Sequence, residues 1–214
     1  MLSDIAMTVL GADLKRKERI SARLGDVLSH LYLASASLKR FNDEGRQQDD
    51  LPLLQWAVED SLYNIQKAID ELLSNFPNRG VAYMLRGIIF PFGTWLTKPS
   101  DDLDHQVARL LQTPSETRNR LGKWQYLTRD GKNVFGILEQ TLEDIIACEP
   151  IFAKVCIALD KQLPFYDLDN AAALGLAANA ITEKEAEILI KAEHGRKATI
   201  SVDDFDSSEL SVSA

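Results

Sequence analysis

"KRKERISARLGDVLSHLYLASASLKRF", residues 15–41, decides the fold. Five basic side chains open it: Lys15, Arg16, Lys17, Arg19 and Arg23. An apolar row follows, with Leu24, Val27, Leu28, Leu31, Leu38 and Phe41 at spacings of three, four and seven. That period belongs to an amphipathic α-helix. It extends over residues 4–42, with Gly25 a weak point and Gly11 the place where the element breaks in two. The polar stretch 42–50, "NDEGRQQDD", comes next. Asp50 then stands at an N-cap, with Pro52 in the first turn. Leu54, Val58, Leu62, Ile65, Ile69, Leu72 and Phe76 form a second apolar row, which stops at "NFPNRG". Two long helices joined by a short polar loop pack as an antiparallel hairpin.

The rest of the chain keeps the helical period. Residues 79–97 are apolar on most sides, with Arg86 the only internal charge and Pro91 and Gly93 ending the helical part. A short amphipathic helix is expected over 101–112, then a polar, broken stretch over 113–133 with a turn at Asp130-Gly131. Residues 134–148 and 150–162 read as two helices divided at Pro150. "DLDNAAALGLAANA" (167–180) follows, and Thr182 with Glu185 forms a capping box before the last helix. No run alternates with a strand period for long. The fold class is all-α: a multi-helix bundle of six to nine helices over residues 1–206. It forms either one domain or a 1–78 hairpin with smaller helices over 79–206. Residues 207–214 read as a flexible acidic tail.

The 214 residues suffice for one domain or two small ones with a real core. The net charge of −8 is uneven. Residues 1–40 hold seven Lys/Arg against four Asp/Glu, +3, which leaves −11 for the remainder. An acidic body excludes a general nucleic-acid binder, which needs a basic surface to neutralise phosphates. Cys148 and Cys156 lie two turns apart on one helix face, too far along the axis to bridge, and read as thiols in a reducing compartment. No signal peptide opens the chain and no run is long and apolar enough to span a bilayer. The expected localisation is cytoplasmic.

Chemistry-bearing patterns are sparse. There is no G-x-G-x-x-G, no G-x-x-x-x-G-K-[ST] and no G-x-S-x-G. His30, His105 and His194 are scattered without a ligand-type partner at i+4, and no metal site is expected. Three carboxylate groups stand out: Asp101/Asp102/Asp104, Glu139/Glu143/Asp144 and Asp203/Asp204/Asp206. Acid–base work needs two carboxyls in contrasting environments, and these sit in polar surroundings that suit a solvated face or a helix N-terminus. Two surfaces remain. Lys15, Arg16, Lys17, Arg19 and Arg23 form either a solvated helix face or a contact for a phosphate, an acidic partner or anionic lipid. The stretch 81–96 is either core or an exposed patch for a partner or a bilayer, with Phe90, Phe92 and Trp95 as anchors.

The strings themselves carry a resemblance. "SDIAMTVLGADLKRKERISARLGDVLSHLYLASASLKR" (3–40), "DDLPLLQWAVEDSLY" (49–63), "LLSNFPNRGVA" (72–82), "IIFPFG" (88–93), "PSDDLDHQVARLLQTPSETRNRLG" (99–122), "QYLT" (125–128), "LPF" (163–165) and "ILIKAEHGRKATISVDDFD" (188–206) occur in order. Together they resemble the C-terminal helical extension of bacterial long-chain (FadE-type) acyl-CoA dehydrogenases of fatty-acid β-oxidation. The resemblance implies a parent enzyme whose core binds FAD. In that core a glutamate removes the α-proton of an acyl-CoA while hydride passes from the β-carbon to the flavin. The motif holding that glutamate precedes the matched region, so no catalytic or flavin-contacting residue carries over, and the chain looks like a fragment, inactive alone. The implied partners are the dehydrogenase core and a second subunit. Analogy with very-long-chain relatives adds peripheral attachment to the inner membrane. The alternative is a free-standing helical adaptor binding protein or membrane.

Overall fold

Glycine 11 ends the first helix. In a computed structural model of the chain, which describes residues 1–201, helix α1 runs Leu2–Leu10 and Gly11 turns the backbone at φ +50°. A single 3₁₀ stretch, Gly11–Lys15, leads into α2, Glu18–Asp43. The break expected at Gly11 is present. The chain divides into two units, Met1–Leu111 and Gln112–Ala214.

In the first unit, α2 is followed by α3 (Leu51–Ser74), α4 (Arg79–Ile89) and α5 (Asp101–Gln112). α2 and α3 form the antiparallel hairpin, which Arg23 and Glu71 clamp with an ion pair of 3.3 Å. Along α2 the covered positions are Ile20 and Ala34, with Leu24, Val27, His30, Ser37 and Phe41 half-buried between and beyond them. Half of the expected α2 row lies elsewhere: Leu28, Leu31 and Leu38 are 69%, 47% and 49% exposed. At about 100° per residue they sit to one side of the seam, and one neighbouring helix covers only one stripe. The open end of the hairpin is filled by Ala6, Leu72, Leu73, Phe76, Ala82 and Leu85. Asn78 caps α4 by accepting from the Val81 N–H. Trp56 Nε1 donates to Asp104 Oδ1 at 2.6 Å, linking α3 with α5, where Leu103 is buried.

The second unit holds α6 (Glu116–Gly122), α7 (Val134–Ala158), α8 (Leu168–Ala177) and α9 (Glu183–Ile200). α6 lies inside the stretch expected to be broken; Ser115 caps it by accepting from the Arg118 N–H. α7 corrects a second expectation. It passes through Pro150 without dividing. Cys148 and Val155, on either side of that proline, are both fully buried in one core. Tertiary packing along the whole face offsets the local cost of the missing hydrogen bond. The core is small-residue packing: Ala171, Ala172, Ala186 and Ala192 join Leu163, Leu168, Ile181 and Leu189. A Cβ on Gly175 would stand 2.8 Å from Val155 and 2.9 Å from Ile181, so α8 lies close to its neighbours. Phe152 meets Phe165 edge-on at 5.0 Å. The Thr182–Glu185 capping box forms as read. Buried Glu193 takes Arg196 at 2.8 Å, Arg196 also donates to the Tyr166 carbonyl, and Lys197 reaches Asp169 at 2.9 Å.

Among the described residues there are nine α-helices and no strand, which makes the fold all-α. No helix there is long and apolar enough to cross a membrane. The acidic tail 207–214 and the Asp203/Asp204/Asp206 group lie outside the described residues.

Candidate functional site

The stretch that ends α4 is built to present aromatic rings. Pro91 cannot donate to the helix and Gly93 has φ +80°, so the chain leaves α4 at Phe90 and turns, the Gly93 N–H bonding to the Phe90 carbonyl at 3.0 Å. Phe90 is half-buried against the first unit's core. Phe92 and Trp95 face the other way, 95% and 77% exposed. Thus the three expected anchors divide into one that fastens the segment and two that are displayed. Gln66, buried in α3, fixes the displayed part: its Oε1 accepts from the N–H groups of Trp95 and Leu96, and its Nε2 donates to the Leu96 carbonyl. Tyr83, Met84 and Ile88 of α4 are exposed as well.

The run of sequence that carries these rings holds charge of one sign. Residues 72–100 contain no Asp or Glu, while Arg79, Arg86 and Lys98 lie within them. Arg79 sits over the Tyr83 ring at 5.2 Å and Lys98 over Tyr63 at 5.8 Å. Arg86 pairs with Asp70 at 2.7 Å. Rigid exposed aromatics beside basic groups can engage a partner's apolar surface or a lipid interface.

The basic cluster is less uniform than its sequence. Arg23 is half-buried and committed to Glu71. Lys15, Arg16 and Arg19 are exposed, Lys17 is the N-cap of α2, and these four make no ion pair among the described residues. The positive end of the α2 dipole adds to their field.

The Glu139/Glu143/Asp144 group of the second unit is ion-paired rather than merely solvated. Arg118 and Glu139 form a two-pronged pair, Arg129 meets Glu143 at 2.6 Å and Lys191 meets Asp144 at 2.8 Å. The Arg118 bond holds Glu139 below the carboxylate range, and Glu193 is lowered by Arg196. A general acid needs the opposite shift. Desolvation pushes the buried Cys148 thiol up to about 11, so it is a poor nucleophile. A groove of about 360 Å³ between α7 and α9 contains Arg129, Asp144, Lys191 and His194. Its arginine and lysine are neutralised by Glu143 and Asp144, so this donor set does not fit a flavin pyrophosphate, which needs unopposed donors.

A family model described as "Acyl-CoA dehydrogenase, C-terminal, bacterial type" matches residues 1–205. The chain belongs to that family. The match takes in both units and every described helix, and therefore both the aromatic segment and the basic cluster of this acyl-CoA dehydrogenase C-terminal domain. No solved structure matches the chain. The clamp that sequence reasoning missed is Gln66, which holds the backbone of Trp95 and Leu96. Its one local signal is an amide with Leu62, Ile69 and Leu73 on its side of the helix, although Asp70 at i+4 weakens that signal.

Proposed function

We propose that this C-terminal domain serves a long-chain acyl-CoA dehydrogenase of fatty-acid β-oxidation by docking rather than by chemistry. FAD and the glutamate that takes the α-proton belong to the dehydrogenase core, and the core, with a second subunit, is the partner. The observation that carries this reading is the exposure of Phe92 and Trp95 on a turn whose Trp95 and Leu96 backbone is held by buried Gln66, in a chain of this family. Exposed aromatics cost little to order when their backbone is already fixed, and such groups dominate docking energies. The test mixes this chain with a flavin-loaded dehydrogenase core and measures binding. Phe92→Ser/Trp95→Ser is expected to weaken the complex about 100-fold. Flavin and palmitoyl-CoA oxidation are expected to stay with the core; turnover by this chain alone would overturn the reading.

The acid-free run 72–100 favours a second reading, in which the same rings rest on the inner membrane from the cytoplasmic side. Long acyl chains are sparingly soluble, and an enzyme handling them gains from a bilayer surface. The basic cluster would then meet anionic headgroups. Sedimentation with anionic vesicles separates the two: this reading expects Trp95→Ala and Arg16→Glu/Lys17→Glu each to leave protein in the supernatant. If both variants pellet like the wild type, the membrane reading fails. A chain that binds membrane or protein but no dehydrogenase core would instead be the free-standing adaptor.

A further inference from the structure

The second unit carries an aromatic patch of its own, where the chain enters α7. Gln125, Tyr126, Asn133, Val134 and Phe135 line one groove of about 500 Å³. Tyr126, Val134 and Phe135 are 72%, 66% and 66% exposed. Asn133 Nδ2 donates to the Tyr126 carbonyl at 3.1 Å, which ties the two walls together. Asp130 fixes the turn between them by accepting from the Lys132 and Asn133 N–H groups, both at 2.9 Å. Two exposed cations flank the groove residues in sequence: Lys132, and Lys123 over the Trp124 ring at 5.3 Å. Neither makes an ion pair among the described residues, whereas Arg129 is committed to Glu143. An apolar groove with unpaired cations close by in the chain suits an acidic segment that carries an aromatic ring.

Register says which segment that is. α9 runs antiparallel to α7: Lys191 meets Asp144 at 2.8 Å, and a Cβ on Gly195 would stand 3.0 Å from Thr141 Oγ1. One turn further on, Ala198 shares a groove with Gly136 and Ile137. Carried past Ile200, the same register sets Ser201 level with Val134 and Phe135. The residues that follow Ser201 read "VDDFD" (202–206), three acids and no base around Phe205. Phe205 is four residues beyond Ser201, within about 14 Å of it at full extension. A segment tethered there meets the groove at an effective concentration in the millimolar range, so one ring and a few ion pairs suffice to hold it. We propose that residues 202–206 dock on this patch of their own chain, with Phe205 entering the groove beside Val134 and Phe135 and the three aspartates facing Lys123 and Lys132. This goes beyond docking through Phe92 and Trp95 and uses different residues.

The test is nuclear Overhauser spectroscopy of the 214-residue chain with labelled valine methyls. A contact from the Phe205 ring protons to the Val134 methyls is expected, and it weakens as salt rises. Phe135→Ser is expected to lower the docked-to-free ratio about 10-fold, with helical circular dichroism unchanged. Lys123→Glu/Lys132→Glu is expected to lose the contact. Adding Asp203→Lys/Asp204→Lys/Asp206→Lys to that variant is expected to restore it, which a merely misfolded loop would not allow. A wild-type chain without the contact, a lysine-reversed variant that keeps it, or a doubly reversed chain that fails to recover it would each overturn the proposal. So would a contact that appears only between labelled and unlabelled chains in a mixture, which would assign the segment to another copy. Loss of core binding by Phe92→Ser/Trp95→Ser with the Phe205 contact intact leaves this proposal standing.

Discussion

Gln66 grips Leu96 at both ends of one amide, accepting from its N–H at 3.0 Å and donating to its carbonyl at 2.9 Å. The same oxygen takes the Trp95 N–H at 2.9 Å. One side chain thereby does for an extended segment what a neighbouring strand does in a sheet. Gln66→Leu leaves two N–H groups and one carbonyl without these bonds, at a cost of about 2 kcal/mol. Hydrogen exchange at the Trp95 and Leu96 amides is expected to accelerate strongly while the rest of α3 stays protected. Unchanged protection at those two amides would mean that the clamp holds nothing.

Glu185 gives a pH signature. The Thr182 N–H at 2.7 Å, then Lys154 at 2.9 Å and the Thr182 hydroxyl, lower its carboxyl from an ordinary 4.5 to about 2. A group depressed on folding adds stability that is complete above its unfolded value and disappears as pH falls through the folded one. The window is therefore 4.5 down to about 2. Glu139 and Glu193, also lowered, act in the same direction. Urea midpoints of the wild type are expected to fall more steeply across that window than those of Glu185→Gln. A Glu185 resonance titrating near 4.5 would refute this.

Glycines 136 and 87 make a matched pair. A Cβ at Gly136 would stand 2.0 Å from the Thr128 carbonyl oxygen, which is backbone and cannot swing aside; at Gly87 it would meet nothing. Gly136→Ala is expected to cost about 3 kcal/mol or more. Gly87→Ala, inside α4, is expected to add up to about 1 kcal/mol. Chemical denaturation of both variants checks the difference in sign.

The two thiols should react in order. Cys148 is fully buried with its thiol raised to about 11, whereas Cys156 is half-buried. Iodoacetamide at neutral pH is expected to label Cys156 first, and Cys148 only as the unit opens. Equal labelling rates in the native state would contradict the packing of α7.

Pro150 leaves α7 one backbone bond short. Pro150→Ala restores a donor to the Ile146 carbonyl and is expected to stabilise the second unit by about 1 kcal/mol, part of the gain being lost to a freer unfolded chain. A fall in thermal midpoint would show instead that the proline ring fills space in the core.

The helices were legible wherever apolar periodicity ran long enough, as in α2 and α3, and α9 was legible from its Thr182 cap, whose two members lie three residues apart. Pro150 misled because the force that keeps α7 whole comes from residues buried against other helices, which no local rule weighs. α6 has only seven residues, two of them arginines that look solvated until Glu139 is placed beside Arg118. The α2 row was read as one stripe because spacing alone cannot tell which of two adjacent faces a neighbour covers. Gln66 escaped for a related reason: its partner is thirty residues away, so the bond exists only in the folded chain.

Alanine and glycine dominate the faces that α8 and α9 turn inward. Neither residue has χ torsions to freeze, so the second unit surrenders little side-chain freedom when it forms. The same economy narrows its mutational latitude. With scarcely a methyl group to remove and no gap to accept one, sequence drift at Ala171, Ala172 and Gly175 is confined to exchanges of nearly equal volume.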